Sequence, residues 1–267
     1  MNKQALVATI KQKKSYLCVG LDTDVTKLPK HLQHQPSAVV SFNKAIIDAT
    51  KDACVSYKIN TAFYEAQGLK GWAAMEETLH YIPKTHFTIA DAKRGDIGNT
   101  SAQYAKTFFE TLPFDAITVA PYMGEDSVRP FLEYENKVTI VLGLTSNKGA
   151  ENFELQKLYG GKPLYEEVLT TVAHWGTPDN LMFVVGATQA KSFLHIRQVI
   201  PEHFLLVPGV GAQGGSLKDV SHFGLNSDGG LLVNASRAII YASSGEDFAE
   251  AAGKAAFNYY DEMKAFL

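Results

Sequence analysis

Residues 87–100 read FTIADAKRGDIGNT, an apolar run that breaks into Asp91, Lys93, Arg94 and Asp96. On an extended chain end, side chains two positions apart share a face, so Asp91 and Lys93 are expected side by side. Lys58, near the end of an earlier apolar run, reaches the same region if the two runs are neighbours, which groups Lys58, Asp91 and Lys93 in one alternating array with Asp96 as a further candidate member. Carboxylates and ammonium groups that alternate in this way keep one another ionised and hold one another in place. An ammonium so held can stabilise a carbanion as it develops and then protonate it. The competing reading is a solvated turn followed by a helix, IGNTSAQYAK, capped by Asp96.

A second stretch, PGVGAQGG at 208–215, points to an anion. It contains a literal G-x-G-x-x-G, with Asp228 further on. The dinucleotide fingerprint, however, belongs to a first βαβ unit and has its acid at the end of the next strand. Here the match comes late in the chain, and Asp228 precedes the next apolar run. A phosphate site uses the same physics without a dinucleotide: glycines admit close approach to backbone N–H groups. Arg237 can add a bidentate charge and Gln213 a neutral donor. The alternative is a tight turn with a surface arginine.

Both clusters need a scaffold that brings strand ends together. Apolar, β-rich runs predict strands at 16–21, 55–60, 86–91, 115–120, 137–144, 180–186, 203–209 and 229–236. Helical patterns follow each, at 38–53, 68–82, 100–110, 127–135, 164–174, 189–200, 217–222 and 247–266. The runs are continuous rather than alternating, as expected for strands buried on both faces. This pattern predicts a single-domain (β/α)8 TIM barrel over 1–267, with a doubly wound open sheet as the alternative. In such a barrel chemistry sits at the C-terminal ends of the strands. Asp22, Lys58, Asp91, Lys93, Thr145 and Ser146 all stand there. The irregular stretch 145–162 is either a lid or a plain surface insertion.

Composition narrows the class of function. A net charge of −3 offers no electrostatic reason to expect nucleic acid or a membrane surface. No stretch approaches the roughly 20 apolar residues of a membrane span. The opening MNKQALVATIKQKK has too short an apolar core for a secretion signal. Two cysteines, Cys18 and Cys54, lie in apolar runs and read as buried free thiols in a reducing, cytoplasmic setting. His80, His86 and His203 show no metal-ligand spacing, and no Ser/His/Asp arrangement stands out. Neither a metal nor an organic cofactor is expected.

DAKRGDI after the third strand resembles the D-x-K-x-x-D signature of the orotidine 5′-phosphate decarboxylase family. PGVGAQGG and Arg237 resemble its phosphate site, CVGLDTD its first strand, and YKINTAFYEAQG its long bacterial branch. The motifs recur in the family's order along the whole chain. The resemblance implies a homodimeric (β/α)8 barrel that converts orotidine 5′-monophosphate to UMP without a cofactor, the last step of de novo pyrimidine synthesis. It further implies Lys93 as the general acid, Asp91 against the substrate carboxylate, and Lys58 completing the array at the ribose. Asp22 would bind the ribose hydroxyls and Ser146 would face the pyrimidine. Pro208, Gln213 and Arg237 would hold the base and the phosphate end. Asp96, with Ile97 and Thr100, would enter the partner's site. Ser236 precedes the arginine where many members carry glycine, which touches the backbone contact to phosphate. Two rivals remain on sequence grounds: metal-dependent decarboxylation or aldol chemistry on a sugar phosphate, and a non-catalytic nucleotide-phosphate binder.

Overall fold

The structure, a computed structural model, describes residues 1–189, 191–211 and 214–267. The expected strands are present as β1 (Leu17–Gly20), β2 (Ser56–Asn60), β3 (Phe87–Arg94) and β4 (Ala116–Val119). They continue as β5 (Val138–Leu144), β6 (Leu181–Val185), β7 (Leu205–Pro208) and β8 (Leu231–Ala235). Neighbours in sequence pair in parallel, and β8 pairs back onto β1 with Leu17 opposite Val233, so the sheet closes into a barrel. Closure rules out the open doubly wound sheet. β1, β4, β6 and β8 are buried at every position, which is why their sequences run apolar without alternation.

Helices cover the outside: α1 (Lys3–Lys13), α2 (Ala38–Thr50), α3 (Ala62–Glu65), α4 (Leu69–Tyr81), α5 (Gly98–Lys106) and α6 (Glu125–Leu132). After β5 come α7 (Leu164–Ala173), α8 (Ser192–Val199), α9 (Leu217–Gly224), α10 (Arg237–Ile240) and α11 (Phe248–Lys264). Helix α2 shows the local logic. Val39, Phe42, Ile46 and Ile47 recur at helical spacing and are buried. Phe42 stacks on Phe248 at the start of α11, ring centroids 5.1 Å apart. Three helices were not foreseen. The short α3 and α10 are single turns of four residues, below the length at which periodicity can be read. Helix α1 is a stronger miss. Asn2 caps it by accepting from the Ala5 N–H at 3.0 Å, and Leu6 and Ile10 are buried. Lys3 approaches Asp228, before β8, at 3.4 Å and Asp179, before β6, at 3.8 Å. Helix α1 therefore packs at the N-terminal end of the barrel, opposite the charged cluster.

The same end carries a buried histidine. His203, just before β7, is 7% exposed, and neither ring nitrogen has a hydrogen-bond partner among the described residues. Burial, then the nearby charges of Lys3 and Arg197, pull its pKa down to about 4. An unfolded chain would protonate it near 6.5, so the unfolded state binds the extra proton first. Stability from this group is complete above about pH 6.5 and is lost as pH falls towards 4. The expected loss is about 3 kcal/mol. Urea unfolding at pH 7 and pH 4 should show His203→Gln losing that much less than the wild type. An equal loss in both would assign the acid sensitivity elsewhere.

Candidate active site

Register places the charged residues at one mouth of the barrel. Gly20 of β1 lies opposite Lys58 of β2, and Asn60 opposite Asp91 of β3. Lys58 donates to Asp22 Oδ1 and to Asp91 Oδ2, both at 3.0 Å. Asp91 Oδ1 in turn accepts from Lys93 at 2.5 Å and from the Thr118 hydroxyl at 3.1 Å. The result is one chain of alternating charge, Asp22–Lys58–Asp91–Lys93. Its burial is graded: the side chain of Lys58 is 5% exposed and that of Lys93 is 49% exposed. Lys93 is therefore the member presented to whatever enters. Burial works against the charge on Lys58, but Asp22 and Asp91 outweigh it and hold the ammonium above the ordinary lysine value. Burial likewise pushes Asp91 up, but Lys58 and Lys93 outweigh it and hold the carboxyl well below the usual carboxylate range.

Asp91 and Lys93 meet for a different reason than strand alternation. The β3–β4 register shifts between Ala90 and Arg94, and Lys93 takes a left-handed backbone with φ 47°. A lysine in that region is strained and persists only where its surroundings dictate it. Here the Lys93 N–H donates to Thr118 Oγ1 at 2.9 Å, and the Arg94 carbonyl accepts from Ala120 at 2.8 Å. The Arg94 guanidinium pairs with Glu65 of α3, donates to the Ala92 carbonyl at 2.8 Å and lies over the rings of Tyr104 and Phe108. Asp22 has its own support. Tyr241 donates to its carbonyl at 3.3 Å, and Tyr64 donates to the carbonyl of Leu21 at 2.9 Å.

Across the mouth, Gly209 and Gly211 have φ 97° and 72°, a conformation that favours glycine. Arg237 opens α10 directly after β8 and is exposed. The cavity between the two sides is about 340 Å³, with Leu142, Val184 and Leu206 forming its apolar floor. Ser146 and Pro208 line it as expected. Gln213, the expected neutral donor, lies outside the described residues. The stretch 145–162 is folded back on itself: Glu154 accepts from the Thr145 N–H at 2.6 Å and from its hydroxyl at 2.8 Å. A more open hollow of about 640 Å³ beside Lys27 and Tyr241 lacks any such charge array.

Asp22, Lys58, Asp91, Lys93, Ser146, Pro208 and Arg237 are thus brought together around one cavity. Asp96, Ile97 and Thr100 are not; they stand outside it at the start of α5. Nor does Asp96 cap that helix. The N-cap is Ile97, without a side-chain cap, and Asp96 only accepts from the Ile97 N–H at 2.8 Å. Sequence reasoning missed Thr118, Asn60 and Asn234, which support or line the site. A signal existed for two of them: Thr118 and Asn234 are polar residues inside apolar strand runs, and buried polar groups require partners. Among the described residues no cluster of His, Cys, Asp and Glu is placed to hold a metal.

Barrel and mouth together define a (β/α)8-barrel enzyme with a lysine–aspartate array at the C-terminal ends of its strands. The model of the orotidine 5′-phosphate decarboxylase / HUMPS family matches residues 15–252, and the chain belongs to that family. It is 57% identical over 266 residues to orotidine 5′-phosphate decarboxylase of Bacteroides fragilis, covering 98% of this chain and 97% of that protein. The protein of the same name from Phocaeicola vulgatus is 56% identical over 270 residues, covering 100% and 99%. The structure of Leishmania donovani OMP decarboxylase superposes with a TM-score of 0.85 at 35% identity, covering 100% of this chain and 98% of that one.

Proposed function

We propose that this chain is a carboxy-lyase that decarboxylates orotidine 5′-monophosphate to UMP, the last step of UMP biosynthesis, without a cofactor. The observation that carries the reading is the unbroken Asp22–Lys58–Asp91–Lys93 array facing Arg237 across one cavity. Family membership and the names of the relatives support it.

Loss of CO2 leaves an electron pair in the ring plane at C6, where the pyrimidine cannot delocalise it. In this reading the Lys93 ammonium stabilises that pair and then protonates C6. At about 4 Å and an effective dielectric near 20, one such charge contributes roughly 4 kcal/mol, about a thousandfold in rate. That is too little for so unfavourable an intermediate, so binding at the far end must contribute. Arg237, the glycine loop and Gln213 take the phosphate; Asp22 and Lys58 take the ribose; Ser146 and Pro208 face the base. With these held, C6 stays against Lys93 as it reacts. Asp91 is fixed at both oxygens and faces the substrate carboxylate, a like-charge contact that CO2 departure relieves.

The working unit in this reading is a homodimer, with the whole chain, 1–267, as one domain. Asp96, Ile97 and Thr100 lie outside their own cavity, and Gly95, just before them, lies close to the Met123 side chain. Ile97 is 59% exposed and Tyr122, next to Met123 in the chain, 89%, and Met123 is also open. A second copy covering this face would bury those groups and bring Asp96 to its partner's mouth. A cytoplasmic, reducing location agrees with two buried free thiols, Cys18 and Cys54, both pushed up to about 12 by burial.

Three outcomes follow from this reading. Lys93→Ala should lower UMP formation at least about a thousandfold while the melting temperature stays close to wild type. Activity within about tenfold of wild type would remove Lys93 as the acid. Arg237→Ala should lower kcat/KM for the nucleotide by about 3 kcal/mol, more than a hundredfold, yet hardly change turnover of phosphate-free orotidine. Equal losses on both substrates would make Arg237 structural. Finally, inactive Lys93→Ala and Asp96→Ala proteins should regain activity when their subunits are exchanged. Random exchange makes about half the dimers mixed and about a quarter of all sites intact. No recovery, with exchange confirmed by native mass spectrometry, would confine Asp96 to its own chain.

A further inference from the structure

Ser236 stands where β8 gives way to α10, one residue before Arg237. Its hydroxyl donates to Asp22 Oδ2 at 2.7 Å and lies 3.5 Å from the Asn234 amide that donates to it. The other oxygen of Asp22 is taken by Lys58 at 3.0 Å. A carboxylate held at one oxygen can still turn about its last bond; held at both, from β2 on one side and β8 on the other, it has one orientation. The ordinary role for a serine at this point would be to cap α10, but its side chain makes no capping hydrogen bond there.

The strand opposite makes room for this contact. A Cβ at Gly20 would fall 1.8 Å from Ser236 Oγ and 2.9 Å from Ser236 Cβ. Gly20 is not among the glycines with positive φ, so its lack of a side chain serves space rather than backbone conformation. The main chain of Asp22, by contrast, is held without Ser236. Tyr241 donates to its carbonyl, and the preceding Leu21 N–H donates to the Lys58 carbonyl at 2.8 Å. Removing the hydroxyl therefore frees the carboxylate and leaves the loop in place.

We infer that Ser236 is a positioning residue that aims the Asp22 carboxylate at the substrate's sugar. Because Arg237 is its chain neighbour, it also ties the sugar-facing carboxylate to the element that carries the phosphate-facing guanidinium. The inference rests on the decarboxylase reading of the cavity.

The test is a double-mutant cycle on Ser236→Ala and Asp22→Ala, read as kcat/KM for UMP formation from orotidine 5′-monophosphate alongside thermal melts. Ser236→Ala should melt like the wild type and lose about tenfold or more, the loss of one hydrogen bond to a carboxylate. With Asp22 already replaced by alanine, the same change should cost less than twofold, because nothing is left to aim. A defect of packing would cost the same in both backgrounds. Where turnover is too slow to follow, UMP affinity by calorimetry across the same four proteins gives the cycle. Ser236→Gly substitutes if Ser236→Ala does not fold. Ser236→Ala within twofold of wild type, or an equal loss in the Asp22→Ala background, would overturn the role of Ser236 alone. A folded wild type that forms no UMP would overturn the decarboxylase reading, and this inference with it.

Discussion

Lys58 is a cation with almost no access to water, set between two carboxylates. Removing an ammonium from water costs several kcal/mol, and the cost is offset only when opposite charges stand at hydrogen-bond distance. Asp22 and Asp91 meet that condition at 3.0 Å each. Once they do, the ends of β1, β2 and β3 have little freedom relative to one another, because any slip would leave a buried charge unpaired. The site and the barrel are in this sense one structure. The register that places Gly20 opposite Lys58 and Asn60 opposite Asp91 is the register that satisfies Lys58.

The strain at Lys93 belongs to the same arrangement. An unbroken strand would carry its residues on in strict alternation. The left-handed turn at Lys93 instead releases its side chain towards solvent while its ammonium stays on Asp91. Thr118 serves both demands, since its one oxygen accepts from the Lys93 backbone and donates to Asp91. The ion pair of Arg94 with Glu65 anchors the chain just beyond the turn. The most exposed member of the array is thus held by a backbone that cannot relax without breaking contacts to two neighbouring elements.

Much of this was legible from residue order. Continuous apolar runs mark strands covered on both faces, and polar residues at their ends mark the mouth, so the barrel and the grouping of Lys58, Asp91 and Lys93 could be read directly, whereas the pairing of Asp22 with Lys58 came from the structure and Asp96, read with the group, stands apart from it. Three kinds of feature could not be read in this way. The turn at Lys93 depends on Thr118, whose partner lies on another strand, and no local pattern announces a lysine with positive φ. The single turns α3 and α10 are too short to show a period. Helix α1 carries readable signals, an asparagine cap and apolar residues at 6 and 10, but it precedes the first strand, so the strand-then-helix pattern does not call for it. Asp96 illustrates a further limit: its charge and spacing are plain, yet its own chain leaves it outside the cavity.

The first and last strands of the barrel are neighbours. β1 needs β8 to complete its pairing, and α1 reaches through Lys3 to the turn just ahead of β8. During synthesis β1 must therefore wait, with one strand edge unpaired, until β8 has emerged. Contacts of such long sequence separation are slow to form, because the intervening chain must be ordered before they can close. The charged mouth forms late for the same reason. Asp22 is made early, and Ser236 and Arg237 close to the end, so no partial chain can assemble both walls of the cavity.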